Sequence, residues 1–242
     1  MKKTNVYFEK INNKKIFCYF TETSNSNNKV IIMSHGFRGS SLGPARTFVN
    51  FERLLVNEGY SVLRFDQPNC GNSDGDFLNA SFKEWVKTII YFAKKFIKEN
   101  YKVCLLGQSM GATASLLAAT NKSLEGKIKT LILWVPDPKS YVEVLPNKIY
   151  EESGEIYKGI FWLEAKDMNF LEKLKKFNGK IHLVYGQSDC FVDKRDVDDV
   201  IKIIKKRKDR YMILKGEDHS KWRYASAKRV FKEELEFLEN NF

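Results

Sequence analysis

The chain has 242 residues, of which 43% are hydrophobic, and a net charge of +11. That length and apolar content fit one α/β domain with a large core and exclude a disordered chain. No apolar run approaches the ~20 residues that cross a bilayer, and the basic N-terminus lacks a signal-peptide core, so a cytoplasmic protein with no integral membrane segment is expected.

Residues 6–10 and 15–20 flank Asn12-Asn13 and read as a β-hairpin. Polar residues 21–28 form a loop. Residues 30–33 (Val-Ile-Ile-Met) are apolar without interruption, as in a strand buried on both faces. Pro44 opens a helical stretch to about Asn57, with Gly59 as its stop signal. Residues 60–65 are the next strand. Residues 81–99 repeat apolar side chains at helical spacing, including Phe82, Val86, Ile89 and Phe96. A strand at 101–106 leads into a small-residue helix at 112–119, and 128–135 is strand-like again.

Residues 136–179 break this alternation. They hold Pro136, Pro138 and Pro146 and the aromatics Tyr141, Tyr150, Tyr157, Phe161 and Trp162. The stretch is too long for a plain connection and is expected to form a small helical cap over one edge of the sheet. Residues 180–186 resume as a strand, followed by a helix from about Asp193 to Lys206. A strand at 211–214 and an amphipathic helix at 223–239 close the chain. The alternation implies a mostly parallel sheet with helices on both faces and antiparallel strands at one edge. It forms a single domain over 1–242 with the insert at about 136–179.

The lysines are spread along the chain. Their densest group, residues 202–208, interleaves with isoleucines at helical spacing, as on the solvated face of a helix. No nucleic-acid motif accompanies it, so no nucleic-acid partner is expected. The cysteines, Cys18, Cys70, Cys104 and Cys190, show no paired spacing, which suggests neither a metal site nor a redox dithiol. No nucleotide loop is present either, and no cofactor is expected. The sequence leaves the oligomeric state open.

Directly behind the strand at 101–106 stands Gly107-Gln108-Ser109-Met110-Gly111, with the helix behind it. A serine at a sharp strand-to-helix turn exposes its oxygen above the sheet beside helix N-terminal N–H groups. Such a hydroxyl needs a base within reach and an acid to orient that base. There are three histidines. His182 lies within an apolar strand and reads as a core residue. His35 follows the strand at 30–33. His219, in the polar loop 216–220, is the candidate base. The candidate acid is Asp189, just past the strand at 180–186, with Asp137, one strand nearer the serine, as its competitor. Asp218, beside His219 in sequence, would face away. The backbone N–H groups of Met110 and of Phe37, in His35-Gly36-Phe37, are the candidate donors to an oxyanion.

Taken together these segments resemble an α/β-hydrolase fold serine hydrolase. The order Ser109, Asp189, His219 follows that superfamily. Residues 66–75 resemble its D-x-x-G-x-G-x-S loop, with Asn69 where the first glycine is usual, a departure that bears on the conformation of this loop. Gly186-x-x-Asp189 and Gly216-x-x-His219 resemble its acid and histidine loops. By length and cap the chain is similar to small bacterial esterases of the cinnamoyl/feruloyl type and to serine aminopeptidase-like and monoacylglycerol lipase-like hydrolases. The resemblance implies a carboxylesterase-type enzyme acting on a small-molecule ester through a Ser-His-Asp triad. Thioesterase or acyltransferase chemistry, a peptidase, and a non-catalytic binding protein on the same scaffold are the alternatives.

Overall fold

The computed structural model describes residues 2–23, 28–140 and 142–242; Tyr141 and part of the expected loop at 21–28 lie outside them. β1 (Lys2–Ile11) and β2 (Lys14–Thr23) form the expected hairpin, turning at Asn12 and Asn13, both at positive φ. Asparagine is among the residues that tolerate that region.

Six parallel strands follow: β3 (Lys29–Ser34), β4 (Ser61–Phe65), β5 (Lys102–Gln108), β6 (Thr130–Trp134), β9 (Lys180–Gly186) and β10 (Arg210–Leu214). The sheet order is β1-β2-β4-β3-β5-β6-β9-β10, and β2 joins β4 antiparallel. The fold is thus an α/β-hydrolase fold with its antiparallel hairpin at one edge. β3 to β6 are buried almost without break, which explains why their sequences read as continuous apolar runs rather than alternating ones.

One face of the sheet is covered by α1 (Thr47–Asn57) and α7 (Tyr224–Asn241). The other carries α2 (Phe82–Lys98), α3 (Met110–Ala119) and α6 (Lys194–Arg207). Ser81 caps α2 by accepting the Glu84 N–H, and Asp193 caps α6 by accepting that of Arg195. α3 is buried all round, as its run of alanine, glycine and leucine demands. No helix among the described residues is long and apolar enough to cross a membrane.

The insert after β6 holds two short helices, α4 (Ile160–Lys166) and α5 (Phe170–Lys176). Before them it adds a two-stranded hairpin, β7 (Ile149–Glu152) and β8 (Glu155–Lys158), which the helical expectation lacked. Its turn is Ser153-Gly154, with both residues at positive φ. A Ser-Gly pair between aromatic segments is the signal that marks it. Glu164 of α4 accepts from Ser81 Oγ at 2.7 Å, so the insert rests on the start of α2.

His182 in β9 proves to be a core residue. Its Nδ1 lies 2.7 Å from Glu234 Oε2 of α7, and Glu234 Oε1 accepts the Trp134 indole N–H at 2.8 Å. Burial pulls the His182 pKa down, but the adjoining carboxylate outweighs it and leaves the imidazole above its usual range. This triplet pins the last helix to two central strands.

Candidate active site

β5 delivers Ser109 to the carboxyl edge of the sheet. Ser109 has φ 55° and ψ −127°, a region that side chains other than glycine rarely take. The flanking glycines permit the turn. A Cβ on Gly107 would overlap the backbone of Gly111 and Ala112, and one on Gly111 would overlap the carbonyls of Ser34 and His35.

The loop after β10 brings His219 Nε2 to 2.8 Å from Ser109 Oγ. The loop after β9 brings Asp189 Oδ2 to 2.8 Å from His219 Nδ1. The other carboxylate oxygen, Oδ1, accepts the N–H groups of Phe191 at 2.9 Å and Val192 at 3.0 Å. With one oxygen held by backbone, the other is fixed for the histidine. Because the carboxylate only accepts, Nδ1 carries the proton and Nε2 faces the serine as an acceptor.

Asp137 lines the same cavity, but its Oδ1 is occupied by the N–H groups of Lys139 at 3.1 Å and Ser140 at 2.8 Å. Burial raises its pKa. Its carboxylate is thus held much as that of Asp189 is, but His219 Nδ1 meets Asp189 and not the competitor. Asp218 accepts the His219 backbone N–H at 2.7 Å and the Cys190 N–H at 3.1 Å, away from the imidazole. Cys190 is exposed, and its thiol contacts Asp218 rather than the serine.

The loop after β3 supplies a part that sequence reasoning missed. His35 is fully buried. Its Nδ1 donates to the Gly36 carbonyl at 2.8 Å, and its Nε2 accepts the Gln67 N–H at 2.9 Å. The Gly39 N–H also donates to the Gly36 carbonyl, at 3.0 Å. In a trans peptide the C=O and the following N–H point opposite ways. Holding the Gly36 carbonyl on the His35 side thus turns the Phe37 N–H to the other side. Burial lowers the His35 pKa, which keeps the neutral form this pattern requires. Met110 opens α3, so its N–H is among the four without an intrahelical acceptor. In the loop after β4, Asn69 takes φ 67°, the left-handed conformation a glycine would supply. That departure from the glycine pattern leaves the turn intact.

These elements surround a cavity of about 840 Å³. Phe37, Tyr157, Trp162 and Phe191 supply its aromatic lining. Phe37 packs on Tyr157 and Trp162 at 5.0 and 4.6 Å between ring centroids, so the insert closes directly on the loop after β3. Arg38 reinforces that closure, donating to the Glu152 carbonyl at 2.8 Å and to its carboxylate at 2.6 Å. Phe191 is 68% exposed, and its ring lies 5.2 Å from that of His219. None of these packing roles was legible in the sequence, because each depends on where the insert lands. Among the described residues no group of three or more His, Cys, Asp or Glu is placed to hold a metal ion.

Residues 25–161 match the family described as serine aminopeptidase, S33. No curated protein matches the chain. Among solved structures, Est1E from Butyrivibrio proteoclasticus with ferulic acid bound superposes with a TM-score of 0.83 at 22% identity, over 97% of this chain and 98% of that one. The Pyrococcus furiosus esterase PF2001 gives 0.71 at 19% identity, over 100% and 91%. The thioesterase domain from the curacin biosynthetic pathway gives 0.73 at 16% identity, over 96% and 99%. At such identities the likeness is one of fold.

Proposed function

We propose that this chain, which belongs to the serine aminopeptidase S33 family, cleaves carboxylic esters of small to medium acyl or aryl groups through an acyl-enzyme on Ser109. The observation that carries this reading is the unbroken chain Ser109 Oγ, His219, Asp189, with 2.8 Å at both links, at the wall of an open cavity partly lined by aromatic rings.

The steps follow from the geometry. Ser109 Oγ attacks the ester carbonyl while His219 Nε2 takes its proton. Asp189 holds the imidazole in the tautomer that can accept and stabilises the imidazolium formed. The Phe37 and Met110 N–H groups receive the developing oxyanion, an interaction worth about 2.7–4 kcal/mol per donor in serine hydrolases. His219 then protonates the leaving alcohol, and water attacks the acyl-enzyme by the same route in reverse.

The aromatic lining supports an acyl or aryl group of moderate size. The bound ferulic acid of Est1E and the esterase from Pyrococcus furiosus support an ester over an amide. The competing reading, a thioesterase, draws on the curacin domain. Hydrolysis of p-nitrophenyl esters from acetate to palmitate, with ethyl ferulate, an acyl-CoA and an aminoacyl p-nitroanilide alongside, tests the assignment. The expected result is turnover of short-chain or aryl esters that vanishes in Ser109→Ala. Preference for the thioester or the anilide would replace the ester reading, and undiminished turnover in Ser109→Ala would overturn the triad.

A further inference from the structure

In a parallel sheet every helix-to-strand connection falls at the edge opposite the strands' carboxyl ends. Here that opposite edge gathers lysines that lie far apart in sequence. Four neighbouring strands start there on exposed cations: Lys102 begins β5, Lys129 immediately precedes β6, Lys180 begins β9 and Arg210 begins β10. Adjacent strands lie about 4.8 Å apart, so these form a close row across the base. The helices feeding the strands end there too. Lys98 closes α2, Lys175 and Lys176 close α5, and Lys205 and Lys206 lie in the last turn of α6, with Lys208 just beyond. Arg207 binds the carbonyls of Phe177 and Gly179 at 2.7 and 2.8 Å and so holds the ends of α5 and α6 together. Against this row the same edge exposes Glu99, Glu125, Glu172, Glu58 beyond α1 and Glu239 near the end of α7, with Glu172 paired with Lys175 at 2.7 Å, so the lysines remain in excess.

Lysine in the last turn of a helix suits the helix dipole, but the dipole does not account for the cations that begin the strands. The opposite end of the molecule carries no such excess. The carboxylates lining the cavity include Glu152, Asp193 and Asp196, which pair with Arg38, Arg195 and Lys139. The molecule is therefore asymmetric along its strand axis, with its cation excess at the base.

We propose that the base docks on an anionic phospholipid surface and holds the mouth of the cavity toward solvent. The row is broad and lysine-rich. Of the aromatics near it, Tyr101 donates to Glu22 and Phe242 stacks on Tyr60, and Arg207, suited to bidentate phosphate contacts, is spent on internal carbonyls and on Asp209, which leaves Tyr211 and Arg210 beside the lysines. Nucleic-acid surfaces by contrast interleave stacking aromatics and arginine. The confinement of the cation excess to the base fixes the orientation. The site would then draw its esters from solution rather than from the bilayer.

Co-sedimentation with vesicles of phosphatidylcholine, with and without phosphatidylglycerol, tests this. The intact chain should bind the anionic vesicles and not the neutral ones, with affinity falling steeply as salt rises. Each lysine near such a surface is worth about a factor of five, so Lys205→Glu, Lys206→Glu and Lys208→Glu together, which also add three repelled carboxylates, should weaken binding by more than about a hundredfold. A control with the same charge change on the α1/α7 layer, Arg53→Glu, Lys228→Glu and Arg229→Glu, should retain most of the binding. Hydrolysis of a soluble ester should be unchanged in both variants, which shows that they fold. No binding to anionic vesicles would overturn the proposal. So would equal loss in both variants, or tighter binding to duplex DNA than to anionic vesicles at matched salt.

Discussion

Two histidine–carboxylate pairs lie in this molecule, at nearly the same distance and with opposite consequences. His219 meets Asp189 at 2.8 Å and His182 meets Glu234 at 2.7 Å. At the carboxyl edge the far nitrogen of His219 faces a strained serine beside a cavity. In the core, Trp134 occupies the second oxygen of Glu234, and the whole group is sealed between sheet and helix. The pair itself is therefore not a mark of chemistry. What the other nitrogen faces, and whether a substrate can reach it, separates a proposed catalytic base from a fastening.

The largest effect should come from breaking the edge pair. Asp189→Asn should lower kcat about 10⁴-fold by allowing the wrong tautomer, whereas Asp137→Asn should cost less than about tenfold, since His219 Nδ1 bonds Asp189 and not Asp137. Steady-state kinetics of both variants on one ester checks this. A larger loss at Asp137 would reverse the assignment of the acid.

The third histidine sharpens the contrast, since it acts through backbone alone. His35→Leu leaves the Gly36 carbonyl held by the Gly39 N–H alone and so loosens the direction of the Phe37 N–H. The expected cost is that of one oxyanion donor, about 10²–10³ in kcat with KM little changed. An equal rise in KM would point to general loosening of the loop instead.

Glu234→Gln tests the core pair and should act on stability rather than rate. The Trp134 bond survives in the glutamine, so the expected loss is about 1–3 kcal/mol, with kcat within a few-fold of wild type. The sign of its pH dependence follows from the raised His182 pKa. The stability this pair adds is fully present below the unfolded histidine's pKa and is lost as pH rises through the folded one. Denaturant melts should therefore show the gap between wild type and variant narrowing as pH rises above ~6.5. His35, whose pKa is lowered, contributes the opposite slope: its share is present above that pH and lost as pH falls toward the folded value. A gap that widens with pH would contradict the core reading.

The smallest effect belongs to Phe191, whose exposed ring lies against His219. Phe191→Ala should raise KM a few-fold for esters of bulky apolar alcohols and leave methyl esters nearly unaffected. Uniform loss across both would assign the ring a supporting role toward the histidine.

The parts of this arrangement that were legible in the sequence are those written locally. The turn at Ser109 shows because close backbone approach forces glycine at 107 and 111. The loops bearing Asp189 and His219 show because each follows an apolar strand. His182 shows as a core residue because its neighbours in β9 are apolar. The roles of His35 and Arg38 did not show. One depends on a carbonyl direction and the other on the hairpin of the insert, and neither leaves a spacing. The choice between Asp189 and Asp137 likewise needed the direction of His219 Nδ1, which no spacing records. The charged base was hidden for a similar reason. Its lysines are dispersed along the chain and meet only where the helix-to-strand connections share one edge.

In the proposed mechanism Ser109 is a nucleophile activated by His219. A fluorophosphonate probe followed by peptide mass mapping addresses it directly. A single adduct is expected on Ser109, absent in Ser109→Ala and formed far more slowly in His219→Ala. A folded protein that takes no label, or takes it at another residue, would contradict it.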